Sequence, residues 1–227
     1  MLYRVTYADL GTMPYGECWQ LQQQLFGELL RAKAEGREVD GRLLFVEHPA
    51  VYTLGKSGRE SNLLVSEEYL RGLGAEYYRI DRGGDITFHG EGQLVVYPIM
   101  DIERAGLSLK DYVAALEQAV IDTVAAYGIV AGRIEGASGV WVGEKSAHPR
   151  KICAIGVRAS RYVTMHGLAL NASTDLRWFG YINPCGFTDR GVTSIAAETG
   201  GSPDMNILKR HLADALSANL NVKIYKN

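Results

Sequence analysis

The sequence predicts an α+β fold built on a mixed β-sheet. Strand-like and helix-like segments are interspersed along the chain, without the regular alternation that a parallel α/β fold requires. The chain has 227 residues, of which 47% are hydrophobic and 22% charged, so it can bury a substantial core and differs from disordered proteins. Because no linker, repeat or low-complexity tract divides it, we expect a single domain over residues 1–227.

The first half of the chain contains strand signals and two helix signals. Residues 2–7 alternate as a short strand does, and Pro14 stands at a favourable first helical position before apolar residues that recur at helical spacing up to Gly36. Further predictions are buried strands over 43–46 and 51–54 with a break at His48-Pro49, a loop over 55–58, a short helix capped by Ser66, and another strand over 75–80.

The second half begins with a glycine-rich, irregular segment over 82–93 that leads into a strand over 94–100. Ser108 is expected to cap the clearest helix, whose apolar residues share one face until Gly128 ends it. The remaining predictions are a hairpin of strands 140–142 and 152–158 joined by the polar stretch 143–150, a strand over 162–171, and a helix over 205–220.

Charge and cysteine content argue against several classes of function. Lysine and arginine number 24 against 26 acidic residues, so the net charge of −2 offers no overall basic field to nucleic acid or anionic lipid. The longest apolar run, residues 94–100, is too short to span a membrane, and the N-terminus lacks the apolar region of a secretory signal. Cys18, Cys153 and Cys185 are too widely spaced for a CxxC motif. We therefore expect a cytoplasmic protein with no membrane or nucleic-acid partner.

Three motif-like features do not meet the requirements of their motifs. Gly55-Lys56-Ser57 ends like a phosphate-binding loop, but Ala50 stands where that loop needs glycine. Residues 136–139 begin like a nucleophile elbow, but Val140 replaces its final glycine. The histidines have no metal-binding spacing; they are His48, His89, His148, His166 and His211. No metal ion or cofactor is expected.

Three other segments are poorly suited to packing alone. Residues 82–93 contain four glycines in twelve positions, which permits close approach of the backbone to a ligand, although a turn-rich hairpin would also explain them. Lys151 opens an apolar strand, where a solvated strand end is the alternative. Cys185 lies between Pro184 and Gly186, which suits a nucleophile on a fixed loop, although buried structural cysteines are common.

Together these segments resemble the lipoate–protein octanoyltransferase family, also called lipoyl(octanoyl) transferases. The resemblance extends from about Leu10 to Asn219 and consists of several multi-residue motifs in the family's order. These motifs are Leu10-Gly11 with Tyr15 and Gln20, Glu47-His48-Pro49, Tyr52-Thr53-Leu54-Gly55, Arg82-Gly83-Gly84, Thr87 with His89-Gly90, Gly92-Gln93-Leu94-Val95, Tyr97-Pro98, Gly139-Val140-Trp141-Val142, Lys151-Ile152, Ala154-Ile155-Gly156, His166-Gly167-Leu168-Ala169-Leu170-Asn171 and Ile182-Asn183-Pro184-Cys185-Gly186.

The resemblance implies a fold, an activity and a site. The fold is a mixed sheet flanked by helices, similar to the catalytic domains of biotin–protein and lipoate–protein ligases. The activity is transfer of an octanoyl group from octanoyl-acyl carrier protein to a lysine of lipoyl domains, those of the E2 subunits of 2-oxoacid dehydrogenases and of the glycine cleavage H protein. The family's nucleophile falls on Cys185 and its lysine partner on Lys151. The acyl and thioester site falls on Arg82, Gly83, Gly84, Asp85, Ile86, Thr87, Phe88 and His89, with Ala154, Ile155 and Gly156, and with Gly167, Leu168 and Ala169.

The chemistry of these residue types agrees with that assignment. A thiolate can attack the donor thioester and form an acyl-enzyme, but a free cysteine with a pKa of about 8.5 is mostly protonated at neutral pH. An ammonium on Lys151 would favour the thiolate, and the neutral amine could accept the proton of the attacking lysine. We expect Gly83, Gly84, Gly156 and Gly167 to let the backbone approach an acyl chain, and His89 to brace the site or contact substrate rather than act as a base.

Some features depart from the family pattern or support other functions. Glu91 replaces the usual proline, which would loosen that turn, and the longer stretch 143–150 makes Lys145 a competing candidate for the lysine. A lipoate–protein ligase, which would use ATP, and a noncatalytic protein that binds lipoyl domains are the rival functions. Docking of an acidic carrier needs a local basic rim, for which the candidates are Arg82, Lys145, Arg150, Arg158, Arg161 and Arg190.

Overall fold

The computed structural model describes residues 2–183 and 190–226. Within these ranges the order is β1 (Tyr3–Thr12), α1 (Tyr15–Ala34), β2 (Gly41–Glu47), β3 (Val51–Leu54), α2 (Glu67–Gly72), β4 (Glu76–Arg79), β5 (Ile86–His89), β6 (Gln93–Ile99), α3 (Leu109–Ala125), β7 (Ala131–Ile134), β8 (Ala137–Val142), β9 (Arg150–Ser160), β10 (Val163–Asn171), β11 (Gly191–Val192), α4 (Ile195–Thr199), α5 (Met205–Asn219) and β12 (Val222–Lys226). Short 3₁₀ turns occupy Glu60–Asn62 and Leu176–Tyr181. No described helix is long and apolar enough to cross a membrane.

The main sheet is mixed, as predicted. Its strand order is β12-β1-β2-β6-β10-β9-β8-β7, and β11 adds to it beside β9. The pairs β12/β1, β1/β2 and β11/β9 are parallel, whereas the pairs from β2 through β7 are antiparallel. A second sheet of three strands, β4-β3-β5, was not predicted. The pairing of strands distant in sequence produces it, and local periodicity does not encode such pairing.

Helices cover both faces of the main sheet. On one face, α3 and α5 contribute Leu116 and Leu212 to a core shared with Leu94 of β6 and Leu168 of β10. On the other face, α1 packs against alternate residues of β6, such as Val95. This division follows from the period of two in a strand, which sends successive side chains to opposite faces.

The small sheet lies beside the N-terminal end of α1. Tyr15 of α1 packs with Val51 of β3 and Ile80 in a cluster that joins the two parts. The outer side of β3 and β5 is covered by a second cluster, which includes Tyr52, Phe88 and the partly buried Trp178. A space is left between the small sheet and the main sheet.

The structure corrects several boundaries. The segment 82–93, expected to be irregular, contains the regular strand β5, because Ile86–His89 pairs antiparallel with β3. Pro14 is the N-cap of α1 rather than its first residue. The predicted cap at Ser108 is part of a full capping box with Asp111. Strands β7, β11 and β12 and helix α4 were not predicted, because they are short and their pairing is with distant segments.

Candidate active site

A cavity of about 370 Å³ lies between the main sheet and β5, and it brings the three predicted blocks together. Its lining includes Arg82, Gly83, Gly84, Asp85, Ile86, Thr87 and His89 from the first block, Ala154, Ile155 and Gly156 from the second, and Gly167, Leu168 and Ala169 from the third, together with Lys151. Phe88 is the exception among the predicted residues. Its ring stacks 5.3 Å from Trp178 in the cluster behind β5, to which Ile86, on the same side of the strand, also contributes.

The loop after β4 rests directly on β9. The Gly83 N–H donates to Val157 O at 2.9 Å, and a Cβ at Gly156 would lie 2.8 Å from Gly83 O. A Cβ at Gly167 would overlap Val96 O on β6. Contacts between protein segments therefore leave no room for a side chain at Gly156 or Gly167, both of which line the cavity. That these glycines also let the backbone approach an acyl chain stays a prediction.

Arg82 is buried and fastens this loop to β3. Its guanidinium donates to Thr53 O at 2.6 Å, to Thr53 Oγ1 at 3.0 Å and to Gly83 O at 3.0 Å. Only 7% of the residue is exposed. Arg82 thus shapes the cavity wall and does not belong to a solvent-facing basic rim.

The turn over residues 90–93 is closed in spite of Glu91. The Gln93 N–H donates to Gly90 O, and the Gly92 N–H donates to the carboxylate of Glu47 at 3.0 Å. Gly92 has a φ of 76°, which its lack of a side chain permits. These bonds close the turn in the absence of the proline, and the expected loosening stays a prediction.

Lys151 faces the cavity because of a bulge in β9. In an unbroken strand Lys151 and Cys153 would point to the same face, but Val140 pairs with Cys153 while Trp141 pairs with Lys151, so Ile152 is an extra residue. Ile152 and Cys153 are both in the core on the α3 side. Lys151 instead lines the cavity, with its Nζ 4.6 Å from the centre of the Trp141 ring.

Lys151 also lines a second, smaller cavity of about 270 Å³. Asn183 and Arg190, the described residues on either side of the 184–189 segment, line this cavity as well. Cys185 itself lies outside the described residues. The competing candidate, Lys145, is exposed and is not among the described residues that line either cavity.

The two described cysteines belong to the cores. Cys18 is fully buried on the α1 face, where burial raises the pKa of its thiol to about 12. Cys153 is fully buried on the other face, and burial raises the pKa of its thiol well above the usual range despite the nearby Lys151. Both thiols are therefore protonated at neutral pH, which suits structural residues rather than nucleophiles.

A chain of hydrogen bonds fixes the protonation of His89. The amide nitrogens of Gln93 and Asn171 donate to backbone carbonyls, Phe88 O at 3.1 Å and Thr193 O at 2.9 Å, and carbonyls can only accept. Gln93 Oε1 must then accept the bond of 2.7 Å from His89 Nδ1, so Nε2 carries no proton. Burial lowers the pKa of His89 to about 3, and nearby His48 adds to this effect. The imidazole is neutral at pH 7.

Two other histidines beside the cavity are also neutral. Burial lowers the pKa of His48 to about 4, and its ring bonds Met13 O at 2.7 Å and Tyr97 Oη at 2.9 Å. His166 has a φ of 59°, and its Nε2 donates to Asp81 at 3.0 Å. This hydrogen bond lowers the pKa of Asp81, whereas burial lowers that of His166 in spite of the carboxylate, so the pair is a neutral imidazole beside an ionised aspartate.

The remaining basic candidates do not surround one opening. Arg158 is paired with Asp81, and Arg150 with Glu198. Arg161 lies in the turn between β9 and β10, at the end of β9 opposite Lys151. Lys145, in the loop between β8 and β9, and Arg190 are left at the Lys151 end. No group of three metal-ligating side chains is found in the described part of the chain.

Comparison with known proteins identifies the family. The model of the lipoyl protein ligase A/B catalytic domain matches residues 14–217. An octanoyltransferase of Bacteroides fragilis is 56% identical over 212 residues, which cover 93% of this chain and 96% of that protein. The octanoyltransferase of Bacteroides thetaiotaomicron is 52% identical, with 97% of each chain covered. The chain belongs to the octanoyltransferase family. It is thereby placed among acyltransferases.

Solved structures agree on the fold. A bipartite lipoate protein ligase from Thermoplasma acidophilum superposes with a TM-score of 0.70 at 15% identity, covering 100% of this chain and 87% of that one. A biotin protein ligase from Aquifex aeolicus gives a TM-score of 0.55 at 14% identity, covering 95% of this chain and 70% of that one. The predicted mixed sheet flanked by helices, similar to the catalytic domains of these ligases, is confirmed.

Proposed function

We propose that this protein transfers an octanoyl group from octanoyl-acyl carrier protein to a specific lysine of lipoyl domains, through a thioester on Cys185. The acceptors would be the lipoyl domains of 2-oxoacid dehydrogenase E2 subunits and the glycine cleavage H protein. The observation that carries the proposal is the position of Lys151 between two cavities. One is lined by the three blocks on which the family's acyl site falls, and the other by the residues that flank the Cys185 segment.

The larger cavity has the character of an acyl site. Apolar side chains such as Val95, Leu168 and Ala169 line it. The histidines around it are held neutral, so no titrating charge needs to be desolvated when a hydrocarbon chain enters. An octanoyl chain in this space, with its carbonyl toward Lys151, is the arrangement that we propose.

The short length of chain between Asn183 and Cys185 supports a nucleophile beside Lys151. Cys185 follows Asn183 by two residues, and two residues of chain span at most about 7 Å. Asn183 lines the smaller cavity together with Lys151. A cysteine so placed can come near the ammonium of Lys151, whose charge would favour the thiolate.

The reaction would proceed in two steps. The Cys185 thiolate attacks the carbonyl carbon of the donor thioester, and the sulfur of the carrier's phosphopantetheine leaves with its electron pair and takes a proton from the Lys151 ammonium, which becomes a neutral amine. The neutral amine of the target lysine then attacks the acyl-enzyme, an amide bond forms, and the Cys185 thiolate leaves. The proton lost by that amine goes to the neutral amine of Lys151, so the cysteine and the lysine titrate as a coupled pair.

Intact-protein mass spectrometry after mixing with octanoyl-acyl carrier protein tests this proposal. One octanoyl adduct, mapped to the Cys185 peptide and absent from Cys185→Ser, is expected. Cys153→Ser should still form the adduct, although it alters a buried core position. An adduct on Cys153, or none on the wild type, would contradict the mechanism.

The same assay separates the rival functions. Transfer from octanoate plus ATP, with none from octanoyl-acyl carrier protein, would indicate a lipoate–protein ligase. Binding of lipoyl domains without any transfer would indicate a noncatalytic protein.

A further inference from the structure

Gly139 packs directly against the bulge that directs Lys151. This glycine has a φ of 113°, and a Cβ added to it would overlap Cys153 O and lie 3.5 Å from Lys151 Cε. The stem of Lys151 therefore runs across the bare backbone of Gly139 on its way to the Trp141 ring. A shift of Gly139 would move the surface on which the stem lies.

The Gly139 N–H is held by a side chain from a helix. It donates to Glu117 Oε1, on α3, at 3.0 Å in a buried environment. The other oxygen of Glu117 accepts from Arg133 Nε at 3.0 Å, and Arg133 also donates to Ala114 O on the same helix. Only 8% of Glu117 is exposed. A carboxylate is thus fixed between a surface arginine and the backbone amide that adjoins the bulge.

We propose that Glu117 is a positioning residue for Lys151: its carboxylate holds Gly139 in the conformation that directs the lysine into the cavity. The inference rests on the role proposed above for Lys151. Glu117 is not expected to touch substrate, since its oxygens are occupied by Gly139 and Arg133. Its contribution is to fix the position of the Lys151 nitrogen, which must act on the thiol as an ammonium and on the incoming amine in its neutral form.

Two conservative variants separate the two roles of Glu117, as the hydrogen-bond acceptor for the Gly139 N–H and as the negative charge beside Arg133. Glu117→Asp keeps the charge for the long, partly exposed Arg133, but it withdraws the carboxylate by one methylene from the fixed Gly139 N–H. Glu117→Gln loses the charge but keeps an oxygen that can accept from Gly139. If positioning is the role, Glu117→Asp should lower kcat by up to about 100-fold with little change in KM for the carrier, the scale of a misplacement of about 1 Å. Glu117→Gln should retain most of the activity.

Three further measurements follow, of which the second and third would not respond to a merely structural role. In Glu117→Asp, exchange of the Gly139 amide proton should accelerate, and alkylation of Cys185 should require a higher pH, as in Lys151→Ala. In a Lys151→Ala background, Glu117→Asp should cause no additional loss of kcat, because it acts through the missing lysine. Arg133→Gln is the matched control, which removes the ion pair but leaves the acceptor of Gly139, and it should keep the wild-type kcat.

The outcomes are distinct. Loss of activity in Glu117→Gln with survival in Glu117→Asp would overturn the proposal in favour of the ion pair. Equal losses of melting temperature with unchanged kcat in both variants would overturn it in favour of stability alone. If the wild type forms no acyl-enzyme, the proposed function fails, while Gly139 amide exchange still reports whether Glu117 holds the bulge.

Discussion

The two sides of the cavity differ in the burial and the charge of their titratable side chains. On the β6 side, His48, His89 and Tyr97 are buried, hydrogen-bonded and neutral at pH 7. On the β9 side, Lys151 is partly exposed and keeps its amine against the face of Trp141. Under the proposed function, the first side would present neutral histidine and tyrosine side chains to the hydrocarbon chain, and the second would present a titratable group to the reacting atoms.

The largest expected effect is on the β9 side, at Lys151. Lys151→Arg keeps a positive charge but stays protonated, so it should allow part of acyl-enzyme formation and block transfer to the target lysine. The loss in the second step should be about 10²–10⁴-fold, the usual contribution of a general base. Lys151→Ala should also slow alkylation of Cys185 at pH 7. Single-turnover assays of each step test this, and full turnover by Lys151→Arg would refute the assigned role.

The next effect concerns the backbone beneath Lys151. Gly139→Ala places a Cβ against Cys153 O at a positive φ, so the free energy of unfolding should fall by about 2–4 kcal/mol. Gly136→Ala is the matched control: its φ of 74° is also positive, but its Cβ would meet nothing within 4 Å. That variant should lose only about 1 kcal/mol. Equal losses in urea denaturation would show that the contact with β9 is unimportant.

The sequence predicts which segments form the cavity better than it predicts the direction of single side chains. The blocks around Arg82, Gly156 and Gly167 were recognisable because motif residues stand in a fixed order, and the structure brings them to one cavity. Phe88 was misplaced because a motif does not state which face of a strand a side chain takes. The burial of Arg82 is not evident from the sequence, because its partner Thr53 lies 29 residues away. The bulge at Ile152 depends on pairing between β8 and β9, which the composition of neither strand contains.

A smaller effect is expected on the β6 side, in the pH dependence of stability. His48, His89 and His166 have lowered pKa values in the folded state, so the unfolded chain binds their protons first as the pH falls. The stability from neutral burial is present above about pH 6.5 and is lost toward about pH 4 for His48 and lower for His89. His48 and His89 should each contribute a slope of about 1.4 kcal/mol per pH unit between the unfolded and the folded pKa.

Urea denaturation between pH 7 and pH 4 measures this slope. His48→Asn should reduce this slope by about the contribution of one histidine. Its stability at pH 7 will be lower because the hydrogen bond to Tyr97 is lost. The exposed His148→Asn should leave the slope unchanged. An identical slope in His48→Asn and the wild type would show that His48 is not buried in its neutral form.

The smallest effect should come from the surface near Lys151. An acidic carrier that delivers its acyl group to the β9 side would pass the loop between β8 and β9, where Lys145 is exposed. Lys145→Gln should therefore lower kcat/KM for octanoyl-acyl carrier protein by about two- to threefold at low salt, through slower association, and the difference should vanish at high salt. Arg161→Gln removes the same charge at the opposite end of β9, so its kcat/KM should match the wild type. Equal salt-dependent losses in both variants would mean that the carrier responds to net charge rather than to the side on which Lys151 lies.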